Sequence, residues 1–222
     1  MKAMILAAGR GERMRPLTDT LPKPLLCVNN KPLIVYHIEK LKAIGITDIV
    51  INHAHLGHKL EEYLGDGSKY GVSITYSPEQ IGGLETAGGI AKALPLLGDE
   101  PFIVVNGDVF VELDYSLLKK DLPLNSYGKL FLVDNPEHNS KGDYAIKDGM
   151  LSLDGDKLTF SGIAIYSPIA FKDIPIEKLK LKPYFDKWIS ENKLFAEKIS
   201  CYWCDVGTPE RLKNLNERLT NK

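Results

Sequence analysis

The residues best suited to chemistry crowd into one early stretch. From Leu6 to Leu26 the chain reads LAAGRGERMRPLTDTLPKPLL, an apolar run followed by two glycines, three arginines, three prolines and a lysine. Without a Cβ, Gly9 and Gly11 let backbone N–H groups approach an anionic oxygen closely, although two such glycines also make a tight turn. Arg13 and Lys23 add fixed cations. Pro22 and Pro24 flank Lys23, so its backbone is restricted and has less entropy to lose on binding. A glycine cradle with two preorganised cations suits a triphosphate. The stretch is not a Walker A loop, because GxxxxGK[ST] is absent. It is not a dinucleotide fingerprint either, since Gly9-Arg10-Gly11-Glu12-Arg13-Met14 lacks the third glycine and Pro16 falls where the helix would run. Arg10 and Arg15 read as solvated loop charges or as secondary phosphate contacts. A second candidate is Asp108 in VVNGDV, at the end of an apolar run. A carboxylate there suits Mg²⁺, which takes oxygen ligands together with substrate phosphates; alone it also fits a turn or cap.

Two other clusters point elsewhere and carry less. His53, His55 and His58 are closely spaced, but no thiolate or carboxylate pattern accompanies them, so surface and capping roles are expected. Cys201-Tyr202-Trp203-Cys204 has the CxxC spacing of a thiol oxidoreductase. Those enzymes place the pair after an early strand at a helix N-terminus, whereas this pair falls in a late expected strand. No second CxxC completes a zinc site.

The elements that must position these residues alternate in period. Short Ile- and Val-rich runs predict strands at Ala3–Ala8, Asp48–Asn52, Val72–Tyr76 and Phe102–Asn106. Helical patterns at Pro32–Ile44, Leu56–Leu64 and Thr86–Leu97 lie between them. Strand alternating with helix predicts a doubly wound α/β sheet, with Gly9 and Gly11 at the carboxyl edge where such sheets bind ligands. Further on, strands are predicted at Lys129–Val133 and Leu158–Tyr166, and a hairpin over Asp143–Leu153 turning at Asp148-Gly149. Helices follow at Tyr184–Asn192 and Pro209–Leu219, with ISCYWCDV as a strand between them.

The 222 residues, 44% hydrophobic, are enough for one large domain, and 28 Lys plus Arg balance 29 Asp plus Glu. Near-zero net charge argues against wholesale binding of nucleic acid or membrane surfaces. No signal-peptide pattern precedes Lys2 and no apolar run has spanning length. Three cysteines suit a reducing compartment, so a soluble cytoplasmic protein is expected.

The run Gly9-x-Gly11-x-Arg13-Met14-x-Pro16-Leu17-Thr18-x-x-x-Pro22-Lys23-Pro24-Leu25 resembles the N-terminal motif of the sugar-1-phosphate nucleotidylyltransferases. WCDVGTP, from Trp203 to Pro209, is similar to the family's late W-x-D-[IV]-G-T-P motif. The resemblance implies a Rossmann-like three-layer α/β domain over 1–222, with a mixed central sheet and a small β-rich part. Residues 1–110 would serve the nucleotide and 111–222 the sugar. It implies Mg²⁺ as cofactor, and a nucleoside triphosphate and a sugar 1-phosphate as substrates. Arg13, Lys23 and Asp108 would be catalytic, and Asp108 and Asp205 would hold the metal. Ala8, Gly9, Gly11, Glu12, Arg13, Lys23, Glu79, Thr86 and Gly88 would bind the nucleotide. Asn106, Gly142, Asp143 and Gly162 would bind the sugar.

Some of these positions have a second reading. Thr86 also fits a helix cap, Asp143 a loop acid, and Asp205 a turn or cap acid in competition with Thr208. Glu85 stands where the family usually has glycine. Runs such as IVINHAHLG, LETAGGI, LVDNP and LTFSGI are similar to the UTP-dependent, cell-wall-recycling branch of the family. Glucose or mannose 1-phosphate with UTP, dTTP or GTP stays open. No hexapeptide-repeat acetyltransferase part and no assembly domain is recognised, and a monomer is expected.

Overall fold

A computed structural model describes residues 1–119 and 121–221. Its strands begin with β1 (Ala3–Leu6), β2 (Cys27–Val28), β3 (Lys31–Pro32), β4 (Asp48–His53) and β5 (Ser73–Pro78). They continue with β6 (Phe102–Asn106), β7 (Val109–Val111), β8 (Gly128–Val133), β9 (Ala145–Lys147) and β10 (Met150–Ser152). The last three are β11 (Thr159–Tyr166), β12 (Leu194–Lys198) and β13 (Trp203–Asp205). The α-helices are α1 (Leu17–Thr20), α2 (Leu33–Ala43), α3 (Gly57–Leu64), α4 (Glu85–Leu97), α5 (Lys182–Ser190) and α6 (Pro209–Thr220).

Nine strands form one mixed sheet in the order β5-β4-β1-β6-β11-β8-β12-β10-β9. β5, β4, β1 and β6 run parallel, so all four present their carboxyl ends at one edge. β11 enters antiparallel beside β6, and β12 runs parallel to β8. Side chains alternate across the sheet, and both faces are covered, which is why the parallel strands read as continuous apolar runs. Ile5, Ile51, Val105 and Phe131 face Ile34, Ile38 and Leu41 of α2 and Leu60 of α3. Met4, Val50, Val104 and Leu130 face Ala87 and Ile90 of α4 and Phe185 and Trp188 of α5. The expected three-layer α/β architecture is present. Among the described residues no helix is long and apolar enough to cross a membrane.

A third apolar cluster lies outside the sheet and anchors the loops of interest. Met14, Val28, Leu33, Phe110, Val206 and Leu215 pack together, and Met14 and Val206 are fully buried. Burying a side chain of this size contributes about 1.5–3 kcal/mol. The cluster therefore pins the arginine-rich loop to β7, to the chain after β13 and to α6.

The structure corrects the sequence reading in three places. ISCYWCDV is not one strand: β12 precedes it, and only Trp203–Asp205 is extended, in a separate ribbon with β7. β12 escapes the apolar search because only Leu194 and Ala196 of LFAEK are buried. Thr86 does not cap α4, because Leu84 holds the cap position with no side-chain bond. Asp205 does not cap α6 either, since the Thr208 hydroxyl accepts from the Arg211 N–H at 3.3 Å.

Candidate active site

The carboxyl ends of three parallel strands are tied together by one chain of hydrogen bonds. The Ala7 N–H donates to Asn52 Oδ1 at 3.0 Å, and Asn52 Nδ2 donates to Glu79 Oε1 at 2.6 Å. Glu79 Oε2 accepts from the Leu84 N–H at 2.6 Å, at the entrance to α4. Hydrogen bonds to a carboxylate contribute about 1.5–3 kcal/mol each, so Glu79 sets the start of α4 against β1 and β4. Gly89 makes room for this network, because a Cβ there would sit 2.7 Å from Glu79 Oε1. Gly88 has a different neighbour: a Cβ there would overlap the Glu177 carbonyl. Glu85 follows Leu84 with φ 57, a left-handed conformation that glycine adopts without cost and other residues rarely take. The backbone thus explains why a glycine is expected at that position.

Three cavities join into a groove along this edge. The smallest, of about 220 Å³, is lined by Gly9, Gly11, Glu12, Arg13, Lys23 and Asp108. Lys23 is largely buried, and its Nζ donates to Asp108 Oδ2 at 2.5 Å. Arg13 is exposed and forms no ion pair or side-chain hydrogen bond among the described residues. A Cβ on Gly9 would meet nothing within 4 Å, so its lack of a side chain leaves open room. Gly11 has φ 71, and its carbonyl accepts from the buried Thr18 hydroxyl at 2.8 Å. Glu12 is engaged by Arg15 at 3.1 Å, and Arg10 donates to the Thr18 carbonyl at 2.9 Å.

Gly9 and Asp108 also line the middle cleft of about 360 Å³, together with Ala8, Asn52, Thr86 and Asn106. Thr86 and Asn106 in turn line the third cavity, of about 550 Å³, with Gly142, Asp143, Phe160 and Phe185. This cavity is shaped by close backbone approaches. Asp143 Oδ2 accepts from the Phe160 N–H at 2.8 Å, and Oδ1 accepts from Asn139 at 3.2 Å. Gly142 has φ 63, and a Cβ there would lie 2.7 Å from the Lys157 carbonyl. Gly162 has φ 78 beside the register shift of β11, and a Cβ there would come within 2.6 Å of the Asn106 amide nitrogen.

The register between β7 and β13 brings Asp205 opposite Val109, next to Asp108, and the Val206 N–H donates to the Asp108 carbonyl at 3.0 Å. Asp205 Oδ1 meets Arg211 Nη1 at 2.5 Å and His138 Nε2 at 2.8 Å. The indole N–H of Trp203 donates to the Ser161 carbonyl at 2.8 Å, which fastens the ribbon to the irregular part of β11. Two carboxylates, Asp108 in the turn before β7 and Asp205 on the paired β13, are each balanced by a cation and offer hard oxygen ligands, with Asp108 lining a phosphate-sized pocket. That donor set fits Mg²⁺, which takes one or two carboxylates and leaves its other positions for substrate oxygens and water. No cluster of three or more such ligands occurs among the described residues.

The remaining sequence candidates separate cleanly. Gly88 lines none of the three cavities named here, and its small size serves packing. Asn52, Gly89 and the Asp205 partners His138 and Arg211 were not singled out from the sequence; Asn52 ends a parallel strand at the same edge, which was the available signal. His53 is bonded to Glu61 at 2.7 Å, and His55 to the Thr18 carbonyl at 2.9 Å. Cys201 and Cys204 are free thiols. Burial pushes both up, Cys204 to about 11 with help from Asp205. A thiol held protonated in this way is a poor nucleophile.

Residues 2–142 match the family model described as nucleotidyl transferase. The chain belongs to this nucleotidyl transferase family. It is an enzyme fold of transferases, and the relatives agree. An N-acetylmuramate alpha-1-phosphate uridylyltransferase of Neisseria meningitidis serogroup B is 53% identical over 96% of both chains. A mannose-1-phosphate guanyltransferase of Hypocrea jecorina is 34% identical over 95% of this chain and 62% of its own length. Among solved structures, a Bacillus anthracis protein assigned as a glucose-1-phosphate thymidylyltransferase superposes with a TM-score of 0.87 at 24% identity. The match covers 100% of this chain and 96% of that one, and it establishes the shared nucleotidyl transferase fold.

Proposed function

We propose that the chain transfers a uridylyl group from UTP to N-acetylmuramate α-1-phosphate, giving UDP-N-acetylmuramic acid and pyrophosphate, in the cytoplasmic recycling of cell-wall amino sugars. The observation that carries this reading is the continuity of the groove. A pocket lined by Arg13, Lys23 and Asp108 shares Gly9 and Asp108 with the middle cleft, which in turn shares Asn106 and Thr86 with a larger cavity of polar and aromatic lining. The 53% identical relative bears that activity in its name.

The sugar phosphate oxygen is anionic at neutral pH, so its attack on the α-phosphorus needs no general base. The obstacle is repulsion between two anions, and positioning with charge neutralisation overcomes it. Lys23 exchanges Asp108 for a phosphate oxygen as the nucleotide enters, and Arg13 neutralises charge that develops on the departing pyrophosphate. The Gly9–Gly11 backbone lies along the phosphates, while Glu79, through Asn52 and Leu84, holds the walls of the base cleft. Asn106, held beside Gly162, and Asp143 offer an amide and a carboxylate to ring hydroxyls. Asp108 and Asp205 would hold Mg²⁺, which when bound supplies further charge neutralisation at the phosphates.

Pyrophosphate release with Mg²⁺ tests the reading, crossing UTP, dTTP, GTP, CTP and ATP with the 1-phosphates of N-acetylmuramate, N-acetylglucosamine, glucose and mannose. The expected result is a dominant rate for UTP with N-acetylmuramate 1-phosphate. A dominant rate for GTP with mannose 1-phosphate, the pair suggested by the name of the fungal relative, would replace the substrates and keep the chemistry.

A further inference from the structure

The larger cavity is built for more than a neutral hexose. Among the described residues three charged side chains line it: Asp143, Lys157 and Lys182. Two of them are already engaged. Asp143 accepts from Phe160 and Asn139 and, being an anion itself, can take ring hydroxyls but not a second carboxylate. Lys182 donates to both oxygens of Asp186, at 3.0 and 2.9 Å, so an incoming anion there would meet a carboxylate. Lys157 is different. Its backbone is fixed, with its carbonyl accepting from Asn135 Nδ2 at 2.8 Å and packed against Gly142. Its side chain is exposed at the cavity and has no ion pair or hydrogen bond among the described residues. Leu153, 40% exposed, lines the same cavity, as does Phe160.

From this arrangement we infer that Lys157 is a specificity-determining residue, which pairs with a carboxylate carried by the sugar while Leu153 and Phe160 take the adjoining alkyl group. The inference rests on the proposed substrate, whose lactyl ether is a carboxylate and a methyl on one carbon. N-acetylglucosamine 1-phosphate lacks that ether and is otherwise the same. An anchored backbone with a flexible ammonium suits this task, because the charge is delivered to the cavity while the stem covers apolar surface.

The test compares wild type, Lys157→Met, Lys157→Arg and Lys182→Met. Each is assayed for kcat and KM with UTP and either N-acetylmuramate 1-phosphate or N-acetylglucosamine 1-phosphate. Calorimetric binding of UDP-N-acetylmuramate and UDP-N-acetylglucosamine gives a second readout that needs no turnover. Lys157→Met is expected to lower the preference for the lactyl-bearing sugar by about 10–100-fold, the size of one charge-assisted hydrogen bond. The change should lie in KM, appear equally in product binding, and be largely restored by Lys157→Arg. Lys182→Met should move the preference much less. If wild type prefers the lactyl sugar and Lys157→Met leaves that ratio unmoved, or if Lys182→Met is the variant that collapses it, the inference is overturned while the substrate stands. If wild type shows no preference for the lactyl sugar, the proposed substrate itself falls, and the role of Lys157 with it.

Discussion

At the scale of single residues, the contrast between Arg13 and Lys23 is instructive. Both are cations of one loop, yet Lys23 is largely buried against Asp108 at 2.5 Å while Arg13 is exposed, without a partner among the described residues. Truncating either should remove a preorganised charge at the phosphates and lower kcat by on the order of 10²–10³. Their effects on folding should differ. Arg13→Ala should leave stability within about 0.5 kcal/mol of wild type, as surface substitutions usually do. Lys23→Ala leaves Asp108 without its counter-charge, although the Asp108 side chain is 37% exposed and can hydrate. A measurable drop in melting temperature is therefore expected, short of unfolding. Single-turnover rates alongside thermal melts check both; wild-type rates in either variant would remove these residues from the chemistry. Arg13, Lys23 and Asp108 could be singled out in the sequence because charged residues stand beside prolines and glycines at short spacing, and Asp205 only through the resemblance of WCDVGTP. Asn52, Gly89 and Lys157 were not, because the first two acquire their meaning from neighbours and the third from a cavity that only the fold brings together.

At the scale of elements, the irregular part of β11 links the two halves of the groove. Pairing with β8 shifts between Phe160 and Ile163, and the Ser161 hydroxyl donates to the Phe131 carbonyl at 2.7 Å inside that gap. The same bulge accepts the Trp203 indole, which steadies the Asp205 ribbon, and presents Gly162 to Asn106. A bulge of this kind re-aims side chains at the cost of a ladder bond. Gly162→Ala should therefore act twice. A Cβ at φ 78 costs about 1–2 kcal/mol in backbone strain, and it would also push on the Asn106 amide. The expected outcome is a lower melting temperature together with a raised KM for the sugar phosphate, and little change in nucleotide binding. Equal loss for both substrates would place the effect in general unfolding instead. From sequence, the strand expected at Leu158–Tyr166 was visible but its bulge was not, since LTFSGIAIY reads as one β-prone run with a single glycine. β12 was hidden for the opposite reason: Glu197 and Lys198 give it the look of a solvated connection, and pairing with β8 decides the matter.

At the scale of the whole molecule, stability and the site meet at His37. This residue of α2 is buried, with Nε2 at 2.8 Å from the Val109 carbonyl and Nδ1 at 2.7 Å from the Tyr115 hydroxyl. The neutral ring satisfies both contacts: Nε2–H donates to Val109, and Tyr115 donates to Nδ1. Burial lowers its pKa to about 4 from the ordinary 6.5; nearby Lys40 adds to the effect and the Val109 carbonyl opposes it. The sign follows from which state binds the proton. Between 6.5 and about 4 the unfolded chain is protonated at this position and the native chain is not, so stability declines as pH falls through that window. Each unit of pKa difference is worth about 1.4 kcal/mol, so the total is about 3 kcal/mol by the lower limit. Carboxylate titrations also act in acid, and a variant separates them. His37→Gln should be less stable than wild type at neutral pH, because the cavity is shaped for imidazole, yet show a flatter decline below pH about 6.5. Urea midpoints of both proteins across that range make the comparison. Parallel pH profiles would mean that His37 is not the sensitive group. Val109 adjoins Asp108, so charging His37 is expected to loosen β7, and with it the phosphate pocket, before the sheet gives way. Under that ordering, transfer activity declines at a higher pH than the loss of helical signal.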